Sequence, residues 1–484
     1  MQRDIRLRKP DTMNFRFGSW FLASASVLVL GCGDDSSSAG GAGAAGGAGG
    51  AGAGAPADVN FHEHVEPILQ RSCLGCHLDG KIGGFSMLTY DEAKPLAAAI
   101  AAATGDKRMP PWGAQTTDEC QPRFAYKNDI SLSDDEIAIL RAWSDAGAPK
   151  GDEADAPPPY EPLPDGLPGM DVALTPAEPG VVDGDSDLFE CVIYDPALTE
   201  ERWVDGVHLL PGNPKVAHHA LTFRAPREDA LALSGGGDRF PCFGGSPGQL
   251  VHVWAPGGMP YELPDDVGIR VKPTDVFVVQ MHYHPTGAGP EEDLSELELR
   301  FTDEVPAYQF VVALPGNASS GGDGLMPGPN DSSGSPEFRI PAGAEDHTEV
   351  MEVLVPPEIF IDVPILMVAT HMHYVGTDIK LEIERAGSAS QPPEECLLHS
   401  PAWDFNWQRM YTFDTPIAEL PTGRGGDVLR ITCHYNNSMS NPFVVKALGE
   451  QGMSAPVDVF LGEQTLDEMC LAPLGILAPS SIDI

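Results

Sequence analysis

Ile365-Leu366-Met367-Val368-Ala369-Thr370-His371-Met372-His373 is an apolar run that closes on two histidines one residue apart. Strand side chains alternate between faces, so residues two apart share a face. His371 and His373 therefore point the same way, as a chelating pair must. A second run, Val276-Phe277-Val278-Val279-Gln280-Met281-His282-Tyr283-His284, has the same character. A third, Val216-Ala217-His218-His219-Ala220-Leu221-Thr222-Phe223, sets two histidines side by side. In a regular strand these would face opposite ways, so spacing alone does not make His218 and His219 co-ligands. A lone histidine is an ordinary core or surface residue. Paired histidines on several strands point to a metal, with zinc open on histidines alone.

Outward from these runs, from about residue 185 on, short β-branched and aromatic stretches are punctuated by Gly and Pro, an all-β pattern. The 53 Gly and 46 Pro suit loop-rich β domains better than helical bundles. At 484 residues the chain is too long for one ordinary core, and two to four domains are expected. With 29 basic against 71 acidic side chains the formal net charge is -42. Phosphate backbones would repel such a chain, which argues against nucleic acid as a partner.

Residues 1–31 read as a lipoprotein-type signal peptide. Arg3, Arg6, Arg8, Lys9 and Arg16 precede an apolar run, Trp20 to Leu30, too short to span a bilayer. It ends in Val29-Leu30-Gly31-Cys32, which resembles a bacterial lipoprotein cleavage box with Cys32 as the acylated residue. Residues 32–57 form a Gly/Ala-rich tether that cannot bury apolar surface. Together they predict an exported protein, lipid-anchored to a bacterial membrane and facing the periplasm or cell surface, where disulfides persist.

Residues 58–150 turn helical and contain Cys73-Leu74-Gly75-Cys76-His77. C-x-x-C-H is the attachment signature for a c-type haem: two thiols form thioethers and the adjacent histidine ligates iron. Downstream, Arg108-Met109-Pro110-Pro111-Trp112 resembles the distal methionine loop of small cytochromes c, with Met109 as the sixth ligand. Ser131 to Glu136 reads as a capped helix start, with Leu140 and Trp143 on the apolar face and Gly147 at the end. Residues 151–184 are acidic and Pro-rich and read as a linker.

From about Ser186 to Ala478 the chain resembles the copper type II, ascorbate-dependent monooxygenases, the group of peptidylglycine α-hydroxylating monooxygenase and dopamine β-hydroxylase. Val216-Ala217-His218-His219, Gln280-Met281-His282-Tyr283 and Thr370-His371-Met372-His373 carry the resemblance, with Asp467-Glu468-Met469-Cys470 the most diagnostic string. It implies two antiparallel jelly-roll-like β-sandwiches, residues 185–308 and 309–484, after the small α-helical cytochrome c-like domain. It also implies one copper on each sandwich across a solvent cleft. One ion would be held by His218, His219 and His282. The other, oxygen-activating ion would be held by His371, His373 and Met469, whose soft thioether favours Cu(I) over zinc. The family further implies the disulfides Cys433–Cys470 and Cys191–Cys242. Cys120 and Cys396 are left without an assigned partner. His284 reads as a cleft residue, His208, His252, His399 and His434 take no metal role, and Met439 lacks the family string.

The specificity of the peptide-amidating member does not transfer. The place of its carboxylate-binding arginine is Ala369, and its asparagine and tyrosine fall approximately at Leu471 and Pro473. The resulting expectation is an exported hydroxylase using O2, two coppers and one covalent haem c. It would act on a small organic substrate and draw electrons from an ascorbate-like reductant or a respiratory redox protein. The alternative is a non-catalytic haem and copper electron-transfer lipoprotein; a copper-storage role is a third.

Overall fold

The computed structural model describes residues 58–162, 166–184, 187–242, 246–317, 324–329, 331, 335–387, 390–462 and 467–483. The signal peptide, the tether and Cys32 lie outside the described residues.

The N-terminal part is helical. Helices Glu66–Ser72, Ala97–Gly105 and Asp134–Asp145 close on a core that includes Val65, Leu69, Leu74, Leu140 and Trp143. Ser133 caps the last helix in a reciprocal capping box with Glu136, and three carboxylates occupy its first turn. Both features satisfy orphan N–H groups and complement the helix dipole.

The remainder is mainly β, in several mostly antiparallel sheets. The strand Asp275–Tyr283 is central to a five-stranded sheet, between Leu188–Tyr194 and Ala217–Pro226, and all nine of its residues are buried. Alternation explains how. Phe277, Val279, Met281 and Tyr283 enter the main core. Val276 and Val278 face the other way, against Phe240, Ala230 and the Cys191–Cys242 disulfide. By the same period His282 belongs to this second face.

The C-terminal half carries Val363–Val368 and Leu474–Pro479 in one sheet. His347–Leu354, Val428–Tyr435, Gly376–Glu384 and Glu394–Ser400 form another. The halves are not separate bodies. Tyr308–Ala313 pairs in parallel with Val267–Val271, so one ten-stranded sheet runs through both.

Two stretches differ from their reading in the sequence. The linker 151–184 contains the strands Val172–Leu174 and Gly180–Val182, which pair with Glu296–Thr302 and Glu291–Asp293. At three residues each they are too short to show alternation. Within 58–150, residues 112–130 leave the helical core and lie along the C-terminal sandwich. Trp112, Ala114 and Tyr126 belong to its core. Tyr411 Oη accepts from Gly113 N at 3.0 Å and Ala114 N at 3.2 Å, and Tyr126 Oη donates to Leu397 O at 2.5 Å. Arg123 meets buried Glu395 at 2.9 Å, and Arg385 holds the second oxygen at 2.8 Å.

Cys120–Cys396 makes this strap covalent across 276 residues of sequence. The other disulfides are Cys191–Cys242 and Cys433–Cys470. Three bridges indicate an oxidising, extracellular or periplasmic setting. Among the described residues no helix is long and apolar enough to cross a membrane.

Because the Cys120–Cys396 bridge closes so long a loop, Cys120→Ser with Cys396→Ser should lower unfolding free energy by about 2–5 kcal/mol. Denaturant titration would measure it, and an unchanged midpoint would show the strap to be marginal.

Candidate metal centre

His219 and His282 are directly cross-strand partners. Between this pair and the next, Tyr283↔Ala217, the register shifts by one residue, and the extra residue is His218. A β-bulge sets two residues of one strand against one of the other and re-aims a side chain. It thus removes the obstacle that alternation posed for adjacent histidines. One ring nitrogen from each of His218, His219 and His282 lies within 4.8 Å of the others. His218 Nδ1 is 3.0 Å and His282 Nδ1 is 3.3 Å from His219 Nδ1.

Burial, helped by the neighbouring imidazoles, pushes His218 down to about 3 and His219 well below the ordinary histidine value. Both rings are therefore neutral, the form that ligates metals. Asp187 Oδ2 lies 3.1 Å from His282 Nε2, and its other oxygen is 2.8 Å from His284 Nδ1. A carboxylate on the far nitrogen is the usual way a ligand histidine is oriented. His284 is thus a partner of Asp187 beside the cluster.

The second set lies just beyond the strand Val363–Val368. His371 forms an isolated antiparallel bridge with Leu471, donating to its carbonyl at 2.9 Å and accepting from its N–H at 3.1 Å. Two residues along in opposite senses come His373 and Met469. The Glu468 carboxylate ties them together, accepting from the backbone N–H groups of His373, Val375 and Met469. Tyr435 Oη donates to Met469 O at 2.9 Å, and Cys433–Cys470 pins the next residue. Met469 is buried.

His371 Nδ1 is 2.6 Å from Gln408 Oε1, and His373 Nδ1 is 3.1 Å from Asp467 O. Both partners are acceptors, so each ring donates through Nδ1 and keeps its Nε2 lone pair for a metal. The two rings are perpendicular, with centroids 5.1 Å apart. Burial lowers His371 from its ordinary value.

The two sets face each other closely. The ring centroids of His219 and His371 are 6.5 Å apart. Phe405 stacks on His218 at 4.7 Å and meets His373 edge-on at 6.0 Å.

The helical part offers a different donor set. Among the described cysteines, Cys73 and Cys76 alone remain thiols. Burial pushes Cys73 up to about 12 and raises Cys76, the reverse of a thiol-exchange site. His77 follows in a tight turn, its N–H on Cys73 O at 2.9 Å. Burial lowers its pKa, and its Nδ1 is buried without a partner. Cys76 lines a cavity of about 650 Å³ whose far wall includes His208, Trp254 and Pro256 to Pro260. Neither Cys73 nor His77 lines that cavity. Met109 lines another cavity, of about 390 Å³, with Trp112, Leu132 and Ile137.

Asp187, Gln408, Glu468 and Phe405 were not singled out from the sequence. Glu468 stands inside the diagnostic string, but nothing in the string shows its carboxylate buried. The others sit in stretches without periodicity.

No family model matches the chain. DBH-like monooxygenase protein 2 of Mus musculus is 26% identical over 282 residues, covering 54% of this chain and 38% of that protein. Putative DBH-like monooxygenase protein 2 of Homo sapiens is 24% identical over 313 residues, covering 60% and 53%. The chain is distantly similar to DBH-like monooxygenase proteins. It spans about half the length, or less, of these curated relatives. Among solved structures, the major capsid protein P2 of bacteriophage PM2 aligns with 63% of this chain and 98% of its own. At 9% identity and a TM-score of 0.26 it has no bearing on the fold.

Asp187→Ala should weaken copper at His218, His219 and His282 by about 10–100-fold while leaving the other set loaded. Competition with a chelator would show this as a change in one of two binding phases. Two unchanged phases would remove Asp187 from the site.

Proposed function

We propose that the protein is an exported copper-dependent monooxygenase that hydroxylates a C–H bond with O2, supplied with electrons through a c-type haem on its helical part. The single observation carrying this reading is the approach of two histidine sets, His218, His219 and His282 on one side and the His371 and His373 pair on the other, with the His219 and His371 ring centroids 6.5 Å apart. The distant similarity to DBH-like monooxygenase proteins supports the oxidoreductase class.

When bound, copper would supply electron storage at the first set and oxygen activation at the second. The chain's own contribution is preorganisation. Burial keeps His218, His219 and His371 neutral, so no proton has to leave before a metal binds. Gln408 and the Asp467 carbonyl hold the orientation of His371 and His373, and the Asp187 carboxylate lies 3.1 Å from His282 Nε2. Met469 supplies a soft donor suited to Cu(I), a choice with no purpose at a zinc site. Phe405 covers His218 and shields it from water.

The substrate is a small organic molecule not held by a carboxylate. Ala369 and Leu471 stand where the amidating enzyme has polar contacts, and both are buried apolar residues. Without a cation at that place, a carboxylate gains little. The same absence favours the second reading, a non-catalytic haem and copper electron-transfer protein. Electrons would come from an ascorbate-like reductant or a respiratory redox protein, and the lipid anchor would keep the enzyme at a bacterial membrane.

The two readings separate in an oxygen electrode. The monooxygenase consumes O2 only with a suitable organic substrate and places one oxygen atom in the product. Met469→Leu should abolish that uptake with the first copper still bound. Redox-active haem and copper with no substrate-dependent uptake across a broad panel would support the electron-transfer reading instead.

A further inference from the structure

The cavity of about 650 Å³ lies between the helical part and the N-terminal sandwich, and both supply its apolar wall. Leu74, Leu78 and Ile82 come from the first, and Leu210, Trp254 and Met259 from the second. Its size is that of an ordinary small-molecule site, roughly 300–1,000 Å³. His218, His219, His282, His371, His373 and Met469 all lie outside its lining, so it is separate from the metal centre. Ile82 is 51% and Met259 43% exposed, which places large apolar side chains at its mouth. A bound apolar molecule would take that surface out of water.

A buried polar group sits on this wall. His208, in the strand Arg202–Leu210, is 5% exposed, and its Nδ1 is buried without a hydrogen-bond partner. Burial pushes its pKa down to about 4, so the ring is neutral, with one nitrogen to donate and one to accept. Its cross-strand partner, Glu298, is turned away, accepting from Leu167 N at 2.6 Å. Leu210, Pro211 and Pro214, which share the wall, offer no side-chain partner. An ordered water needs two to four polar partners, which such surroundings supply poorly. An unsatisfied buried imidazole costs stability, and a ligand with a hydrogen-bonding group can supply the missing bond.

The charges around the cavity nearly balance. Arg71, Lys81 and Arg409 stand against Asp129 and Glu161. Arg71 is held by Glu136 at 2.9 Å and donates to Ser131 O at 3.0 Å, and Arg409 donates to Gly257 O at 3.1 Å. This wall favours a neutral ligand over an ion.

We propose that the cavity is a binding site for a neutral organic molecule with an apolar body and a single hydroxyl or carbonyl group, which meets His208. The site goes beyond the copper and haem reading and stands or falls apart from it.

Two probes of the same shape test it. 2-Naphthol carries a hydroxyl where 2-methylnaphthalene carries a methyl group. Each is titrated by its fluorescence into the full chain, expressed with and without cytochrome maturation. One 2-naphthol should bind per chain, about 3–10-fold tighter than 2-methylnaphthalene, the worth of one hydrogen bond. His208→Leu should erase that preference and still take up 2-methylnaphthalene. Its unfolding midpoint without probe should be no lower than that of the wild type, because no bond within the protein is lost. Leu210→Trp, which fills the cavity, should abolish uptake of both probes, and Met259→Trp at the mouth should do the same where Leu210→Trp disturbs the fold. No uptake by the wild type, equal affinity for the two probes, or uptake indifferent to the filling variants overturns the site. So does 2-naphthol binding that vanishes once a haem is attached, which would give the cavity to that group and leave the haem reading intact.

Discussion

One extra residue in a β-strand brings three histidines of this protein together. Regular pairing of Ala217–Pro226 with Asp275–Tyr283 would send His218 into the core and leave His219 alone opposite His282. The bulge at His218 puts both histidines against one partner. The cost is a break in the ladder and three imidazoles crowded together away from water. Burial, helped by the neighbouring imidazoles, holds His218 and His219 well below the ordinary histidine value, since desolvation disfavours the charged ring.

The second set is built on a different principle. His371 and His373 leave the end of a strand, and their positions depend on a return chain, Glu468 to Leu471, that crosses beside them. The buried Glu468 carboxylate acts as a clamp, gathering backbone N–H groups from both segments. Burial still raises its pKa to about 8 despite those bonds. The Cys433–Cys470 disulfide anchors the return chain to the neighbouring sheet, so the thioether is delivered by a rigid loop. Side chains locked in this way would need little reorganisation to take up a metal.

Much of this was legible in the sequence and some was not, for identifiable reasons. The β class followed from short apolar, β-branched runs punctuated by Gly and Pro, because strands such as Asp275–Tyr283 bury both faces and read as apolar runs. The cysteine pairs Cys191–Cys242 and Cys433–Cys470 followed from resemblance. Cys120–Cys396, across 276 residues, has no local signature. The bulge was invisible because a strand's period is two and nothing in Ala217-His218-His219-Ala220 marks an insertion. Asp187 and Gln408 act through contacts made only after folding. The strap at 112–130 was read with the helical part because the cysteine motif and the methionine loop bracket it so closely. Its Trp112 and Tyr126 are instead core residues of a distant sandwich.

The central claim is that two unlike copper sites, one all-histidine and one with a thioether, face each other in this chain. Copper quantification combined with X-ray absorption at the copper edge of the reduced protein tests it most directly. The account predicts two coppers per chain and a sulfur scatterer that disappears in Met469→Leu but persists in His219→Ala. A single copper, or a reduced spectrum without sulfur in the wild type, would contradict it.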